Sequence, residues 1–116
     1  MTRTSAANED PDRFADRRLY PRVSVALPAF LQADGARQSV QILDLSSGGA
    51  KLSCAIAYAA GTAVMLDCGT LRCAGVVRWQ AGGTVGLSFD AELDAREVSA
   101  LRDRSNALEA LMKTRV

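Results

Sequence analysis

Residues 71–89, LRCAGVVRWQAGGTVGLSF, alternate apolar and polar side chains on both sides of a pair of glycines. Such alternation gives each face of a β-strand its own set of side chains. Gly82 and Gly83 tolerate the positive φ angles that a two-residue hairpin turn requires. The stretch therefore predicts two antiparallel strands, and its alternation places Trp79 in the core at the end of the first one.

The same strand-like pattern extends back to residue 23. This part of the chain predicts four further strands. Turn signals follow the first, second and fourth of them, at residues 34–35, 45–49 and 68–69. Six short antiparallel strands predict an all-β fold with a closed or nearly closed barrel, because closure removes exposed strand edges. The predicted strands lie near Val23–Phe30, Ser39–Leu45, Ala50–Cys54, Ala63–Asp67, Leu71–Gln80 and Val85–Phe89.

The periodicity becomes helical after residue 90. Asp94 and Glu97 have the spacing of a capping box, which marks the start of a helix. Apolar side chains then recur on one face, which predicts an α-helix over residues 94–113. We expect this face to pack on the barrel, with a homodimer contact as the alternative. Its members are Val98, Leu101, Leu108, Leu111 and Met112.

The chain as a whole has the size and charge of one small domain. Its 116 residues suffice for one hydrophobic core. A net charge of +1 and few aromatic residues argue against nucleic acid as a partner. No apolar run is long enough to span a membrane, and the polar N-terminus lacks a secretory signal, so a cytoplasmic location is expected. Residues 1–16 are predicted to be a disordered tail before a single domain over residues 17–113.

The residue types present do not favour catalysis or metal binding. The chain has no histidine, the commonest general base. Cys54, Cys68 and Cys73 are odd in number and lack CxxC spacing, so they are expected to be reduced core residues. No catalytic residue, metal or cofactor is predicted, and the protein is not expected to be an enzyme.

Two short segments carry the chemistry, and the first is RRLYPR at residues 17–22, here called the arginine arm. Guanidinium groups hold phosphate oxygens with two parallel hydrogen bonds, and they also stack on bases. In an extended chain Arg18 and Arg22 lie about 13 Å apart, with Arg17 beside the first. Taken alone, the arm is more simply explained as a solvated cluster of charges.

The second segment is DLSSGG at residues 44–49. The Asp44 carboxylate can accept hydrogen bonds from two adjacent donors, such as guanine N1–H and the N2 amino group. Ser46 supplies a small donor and acceptor, while Gly48 and Gly49 let a ligand approach the backbone closely. Taken alone, this segment is more simply a turn in which Asp and Ser satisfy local amides.

Together the two segments resemble the PilZ domain family of bacterial cyclic di-GMP receptors. The family's first motif, RxxxR, is matched by Arg18 and Arg22. Its second motif, [DN]xSxxG, follows some twenty to thirty residues later and is matched by Asp44, Ser46 and Gly49. The order and spacing of the two motifs are far more specific than either motif alone.

The resemblance continues in GVVRW at 75–79 and VGLSF at 85–89, and it covers roughly residues 17–112. It implies a six-stranded antiparallel barrel (23–90) with a C-terminal helix. It also implies that cyclic di-GMP binds between the arginine arm and the barrel, which orders the arm and signals to a downstream protein. The implied ligand-binding residues are Arg17, Arg18, Arg22, Asp44, Ser46 and Gly49, with Ser47, Gly48 and Trp79 as candidates for additional contacts.

The sequence leaves three alternatives open. The first is a PilZ-like protein-interaction module that does not bind nucleotide. The second concerns stoichiometry, because Arg17 beside Arg18 suits the four phosphates of a stacked pair of cyclic di-GMP molecules. The third is oligomeric state, which is either a monomer or a weak homodimer through the C-terminal helix.

Overall fold

The structure is a computed structural model that describes residues 22–114. The predicted tail at 1–16 and the arm at 17–21 lie outside the described residues. The strands are β1 Val23–Ala33, β2 Ala36–Leu45, β3 Gly49–Ser53, β4 Ala63–Asp67, β5 Arg72–Ala81 and β6 Thr84–Phe89, and the helix that follows is α1, Ala95–Thr114. All neighbouring strands are antiparallel and form a closed barrel in the order β1-β2-β3-β6-β5-β4, with β4 returning to β1. The predicted fold is confirmed.

Two-residue hairpin turns set the lengths of the longest strands. Asp34 and Gly35 have φ angles of 53° and 79°, as a type I′ turn requires. This turn matches the strand twist, so pairing continues up to Ala33 opposite Ala36. β1 and β2 are therefore longer than predicted. The glycines at 82–83 form a turn of the same kind, as predicted.

The barrel interior is one continuous apolar core, to which α1 contributes from one end. The three cysteines are buried and free, as predicted. The side chains that are fully buried include Leu27, Leu31, Ile42, Leu45, Leu52, Leu66, Val77 and Val85.

The predicted capping box at the start of α1 is confirmed. The Asp94 N–H donates to Glu97 Oε1 at 2.9 Å. In return, Asp94 Oδ1 accepts from the Arg96 N–H at 2.8 Å. These bonds satisfy amides that have no partner within the first turn of a helix.

The first half of α1 closes one end of the barrel. Val98 and Leu101 are buried in the core. Ser105 is also buried, and its Oγ accepts from the Ala26 N–H at 2.9 Å. Ala26 lies within a bulge of β1, so the serine that weakens the helical pattern in the sequence provides a hydrogen bond to the barrel.

The prediction that the whole apolar face of α1 packs on the barrel is wrong for its C-terminal half. Leu108, Leu111 and Met112 are 37%, 57% and 70% exposed. The helix has 20 residues and is therefore about 30 Å long, whereas its buried positions end at Ser105. The last turns lie beyond the surface that the barrel offers. In the described part of the chain, no helix combines the length and the apolar character needed to cross a bilayer.

Candidate functional site

A bulge in β2 turns Asp44 to the outside of the barrel. Ile42 pairs with Leu52 and Asp44 pairs with Lys51, which leaves Leu43 as an extra residue. Ile42 is fully buried, and regular alternation would place Asp44 on the same inner face. The bulge shifts the alternation by one residue, so the Asp44 side chain lies on the outer surface and is 23% exposed.

The last residue of the arginine arm contacts this aspartate. Arg22 Nη1 lies 3.6 Å from Asp44 Oδ2. Arg22 directly precedes β1, and Ser24 is opposite Asp44 in the β1–β2 pair, so strand pairing brings Arg22 next to Asp44. The side chains are 41% and 23% exposed, and an ion pair so open to water contributes little to stability. Arg17 and Arg18 lie outside the described residues.

The segment after Asp44, residues 45–49, forms a tight turn that we call the motif turn. The Ser46 N–H donates to the Gly49 carbonyl at 2.9 Å. Ser46 Oγ accepts from the Gly48 N–H at 3.2 Å and donates to the Gly49 carbonyl at 3.4 Å. Ser46 is fully buried, so in this arrangement its hydroxyl shapes the turn. A Cβ on Gly49 would collide with the Leu87 carbonyl oxygen, and only glycine allows this approach of β3 to β6.

The motif turn is also bonded to the segment that leads into α1. The Gly48 carbonyl accepts from the Phe89 N–H at 2.9 Å. The Ser47 carbonyl accepts from the Leu93 N–H, also at 2.9 Å. These two hydrogen bonds connect the motif turn to the segment that precedes α1.

Trp79 lies on the outer surface, and the prediction that it packs in the core is wrong. Val77 is buried, and regular alternation would place Trp79 on the same inner face. A bulge at Arg78 shifts the alternation, and Trp79 is 45% exposed. Its indole lies over Gly86 on β6, where a Cβ would overlap the ring atoms. The missing side chain of Gly86 thus makes room for the indole on the outer surface of the barrel.

These residues form one row across five neighbouring strands, which we call the outer row. Its successive partners are Ser24 on β1, Asp44 on β2, Lys51 on β3, Gly86 on β6 and Trp79 on β5. Asp44 and Trp79 are three strand spacings apart, or about 14 Å. Sequence reasoning assigned no role to Lys51, although it is one of two lysines in a chain whose other basic residues are arginines.

The three cysteines are buried in the core, whereas the side chains of the outer row are on the surface. Burial raises the pKa of Cys68, and burial together with the neighbouring Cys68 raises the pKa of Cys73 to about 12. Protonated thiols are poor nucleophiles and poor metal ligands. Within residues 22–114, no three His, Cys, Asp or Glu side chains are grouped closely enough to hold a metal ion.

The sequence matches a known protein family. Residues 16–106 match the PilZ domain family. The matched span is most of the chain and includes both motifs and all six strands. The chain therefore belongs to the PilZ domain family, which is a family of cyclic di-GMP receptor domains.

Two solved structures share the fold. The Bacillus subtilis inhibitor of motility MotI/DgrA is 16% identical with a TM-score of 0.55, and the match covers 81% of this chain and 52% of that one. Borreliella burgdorferi PlzA, solved in complex with c-di-GMP, is 16% identical with a TM-score of 0.55, over 80% of this chain and 45% of that one. The chain thus spans about half the length of these structures. A search of curated proteins finds no significant match.

Proposed function

We propose that this chain is a cytoplasmic receptor for cyclic di-GMP, which it binds between the arginine arm and the outer surface of the barrel. The observation that carries the proposal is the 3.6 Å contact between Arg22 and Asp44. These residues end the first motif and begin the second, about twenty residues apart in sequence. Membership of the PilZ family supports the choice of ligand.

The charges of the two motifs suit the two kinds of group in the ligand. Cyclic di-GMP carries two phosphates, and the arm offers guanidinium groups from Arg17, Arg18 and Arg22. Each guanine presents adjacent N–H donors, from which the partly exposed carboxylate of Asp44 can accept hydrogen bonds. The motif turn gives that aspartate a fixed position through the buried Ser46 and the close approach at Gly49.

Additional contacts in this proposal come from the motif turn and from Trp79. Ser47 and Gly48 are partly exposed, so their backbone is within reach of a ligand held by Asp44. The indole of Trp79 lies over Gly86 on the outer surface and is 45% exposed, so it offers a surface for base stacking. A stacked pair of cyclic di-GMP molecules would extend further from the barrel and would use the third arginine of the arm.

The output of the receptor is a changed surface, without catalysis or a cofactor. A ligand that orders the arm covers Asp44 and reshapes the motif turn. The turn is bonded to Leu93, which precedes α1. The exposed apolar residues Leu108 and Met112 on α1 then offer a contact for a downstream protein or for a second copy of the chain.

Isothermal titration calorimetry with cyclic di-GMP tests the proposal, with GTP and cyclic AMP as controls. We expect saturable binding of cyclic di-GMP alone. A plateau at two ligands per chain supports the stacked pair, and a plateau at one rules it out. If no heat is released and the melting temperature is unchanged by the ligand, the receptor proposal is wrong and the protein-interaction module is favoured.

A further inference from the structure

Lys51 occupies the centre of the outer row, between the aspartate and the tryptophan. On one side its β3 position is opposite Asp44 of β2, and on the other it is opposite Gly86 of β6. The neighbouring residues of β3, Ala50 and Leu52, are buried in the core, so Lys51 projects to the outside. It is only partly exposed there.

The charge of Lys51 is not neutralised by the part of the chain that the structure describes. Cross-strand partners of opposite charge often pair, yet the Asp44 carboxylate is bonded to Arg22. Across residues 22–114, no carboxylate lies within 4.0 Å of the Lys51 ammonium. Gly86 offers no side chain either, and the space above it is filled by the Trp79 indole. A partly buried cation beside a partly used carboxylate is therefore available to a ligand.

The chemistry of guanine matches this pair of side chains. Its Watson–Crick edge presents the N2 amino group, N1–H and then the O6 acceptor. A carboxylate can accept from the first two groups, whereas O6 requires a donor. An ammonium group is a donor without any acceptor, and residues opposite each other on neighbouring strands have Cβ atoms about 5 Å apart. The N2 amino group and O6 lie at the two ends of the guanine edge, so one guanine can contact both side chains at the same time.

We propose that Lys51 is a specificity-determining residue that donates to guanine O6 while Asp44 accepts from N1–H and N2. This inference rests on the proposed function and adds a residue outside both motifs. It also predicts which base is rejected. Adenine carries an amino group at the position of O6, and that donor would face the ammonium of Lys51.

The test compares Lys51→Met with the wild type by calorimetry, using two ligands. The first is cyclic di-GMP, and the second is its analogue with 6-thioguanine in place of guanine. The analogue keeps N1–H and N2 but replaces O6 by sulfur, a weaker acceptor. We expect the methionine variant to bind cyclic di-GMP about tenfold more weakly, since it loses a charge-assisted hydrogen bond. The sulfur analogue should bind the wild type more weakly than cyclic di-GMP does, but the variant should bind both ligands equally.

Two control variants isolate the role of the ammonium. Lys113→Met removes the chain's other lysine, in the last turn of α1, and should leave affinity unchanged. Lys51→Arg keeps a cationic donor and should retain most of the affinity.

The outcomes separate this inference from the proposed function. If the wild type does not bind cyclic di-GMP, the receptor proposal itself fails. If the wild type binds but Lys51→Met binds equally well, the role of Lys51 is wrong and the receptor proposal stands. If the sulfur analogue is disfavoured to the same extent in both proteins, Lys51 does not contact O6, as would be the case for a contact with phosphate.

Discussion

Two aspartates on the outside of the barrel face arginines, and their surroundings differ. Asp67, at the end of β4, accepts from the Gly69 N–H at 2.9 Å. Asp67 Oδ2 also lies 3.4 Å from Arg37 Nη2 and 4.0 Å from Arg72 Nε. The hydrogen bond from Gly69, together with the two arginines, lowers the pKa of the Asp67 carboxyl group. Arg37 is itself held over the Phe30 ring, with its guanidinium carbon 4.3 Å from the ring centroid.

Asp44 has fewer partners in its own chain. Among the described residues, its carboxylate pairs with Arg22 alone, at 3.6 Å. A carboxylate offers about four acceptor positions. Asp67 uses several of them for a backbone amide and two arginines, and this fixes the β4–β5 turn. Asp44 keeps acceptor positions for groups that arrive from outside.

Under the proposed function, an arginine beside a carboxylate does not by itself mark a binding site. Both regions have that pair, and both lie on the barrel exterior. The difference is whether the chain's own donors already occupy the carboxylate. The following predictions test this distinction, from the largest expected effect to the smallest.

Replacing the aspartate of the outer row should have the largest effect on ligand binding. We expect Asp44→Ala to weaken cyclic di-GMP binding by about 2 kcal/mol or more, roughly 30-fold, because guanine donors and Arg22 lose their acceptor. Calorimetry measures the change. Asp67→Ala is the matched control and should leave affinity unchanged. Equal losses in both variants would remove the distinction between the two aspartates.

The arginine arm should be nearly as sensitive. Arg18→Ala is expected to weaken binding by about 2 kcal/mol, because a phosphate loses its charged partner. Arg22→Ala should weaken binding less, since it also frees the Asp44 carboxylate from its ion pair. Arg102→Ala, on the exposed side of α1, is the control and should have no effect. Unchanged affinity in both arm variants would refute the proposed role of the arm.

The aromatic surface of the outer row should contribute a smaller amount. Trp79→Ala is expected to cost about 1 kcal/mol in ligand affinity, the lower end for stacking of one base. Gly86→Ala should have a similar effect, because the new methyl group displaces the indole. Calorimetry measures both losses of affinity. Trp79 is the only tryptophan in the chain, so its fluorescence in the wild type and in Gly86→Ala reports on the indole. An emission spectrum that does not respond to saturating ligand would argue against stacking.

The region around Asp67 should instead affect stability at low pH. Because the folded state lowers the Asp67 pKa from its ordinary value of 3.8, the carboxylate stabilises the fold above that pH. This stabilisation is lost as the pH falls through 3.8 and then through the lowered pKa. We expect the difference in melting temperature between wild type and Asp67→Asn to shrink over this range. A difference that stays constant down to low pH would show that the charge of Asp67 does not stabilise the fold.

Turn residues and alternation were sufficient to predict the barrel. The pairs Asp34-Gly35 and Gly82-Gly83 have backbone angles that few other residues adopt, so they locate two hairpins directly. The capping box likewise located the start of α1. Each of these signals depends on two to four consecutive residues, so it can be recognised without knowing how the strands pair.

The bulges at Leu43 and Arg78 were not predictable in the same way. Strict alternation assumes a regular strand, and each bulge reverses it for the residues beyond. The core assignment of Trp79 failed for this reason. The position of Lys51 next to Asp44 also depends on strand register, which a single sequence does not reveal. The motifs therefore located Asp44 and the arginine arm in the sequence, whereas the position of Lys51 beside Asp44 was found only in the structure.

The most direct test of the central claim is to map the ligand on the protein by NMR. Amide shifts of ¹⁵N-labelled protein would be followed during titration with cyclic di-GMP. We predict large shifts for the outer row and the motif turn, residues 24, 44–51, 79 and 86, and small ones for residues 67–72. Shifts centred on residues 67–72, or none in the motif turn at saturation, would contradict it.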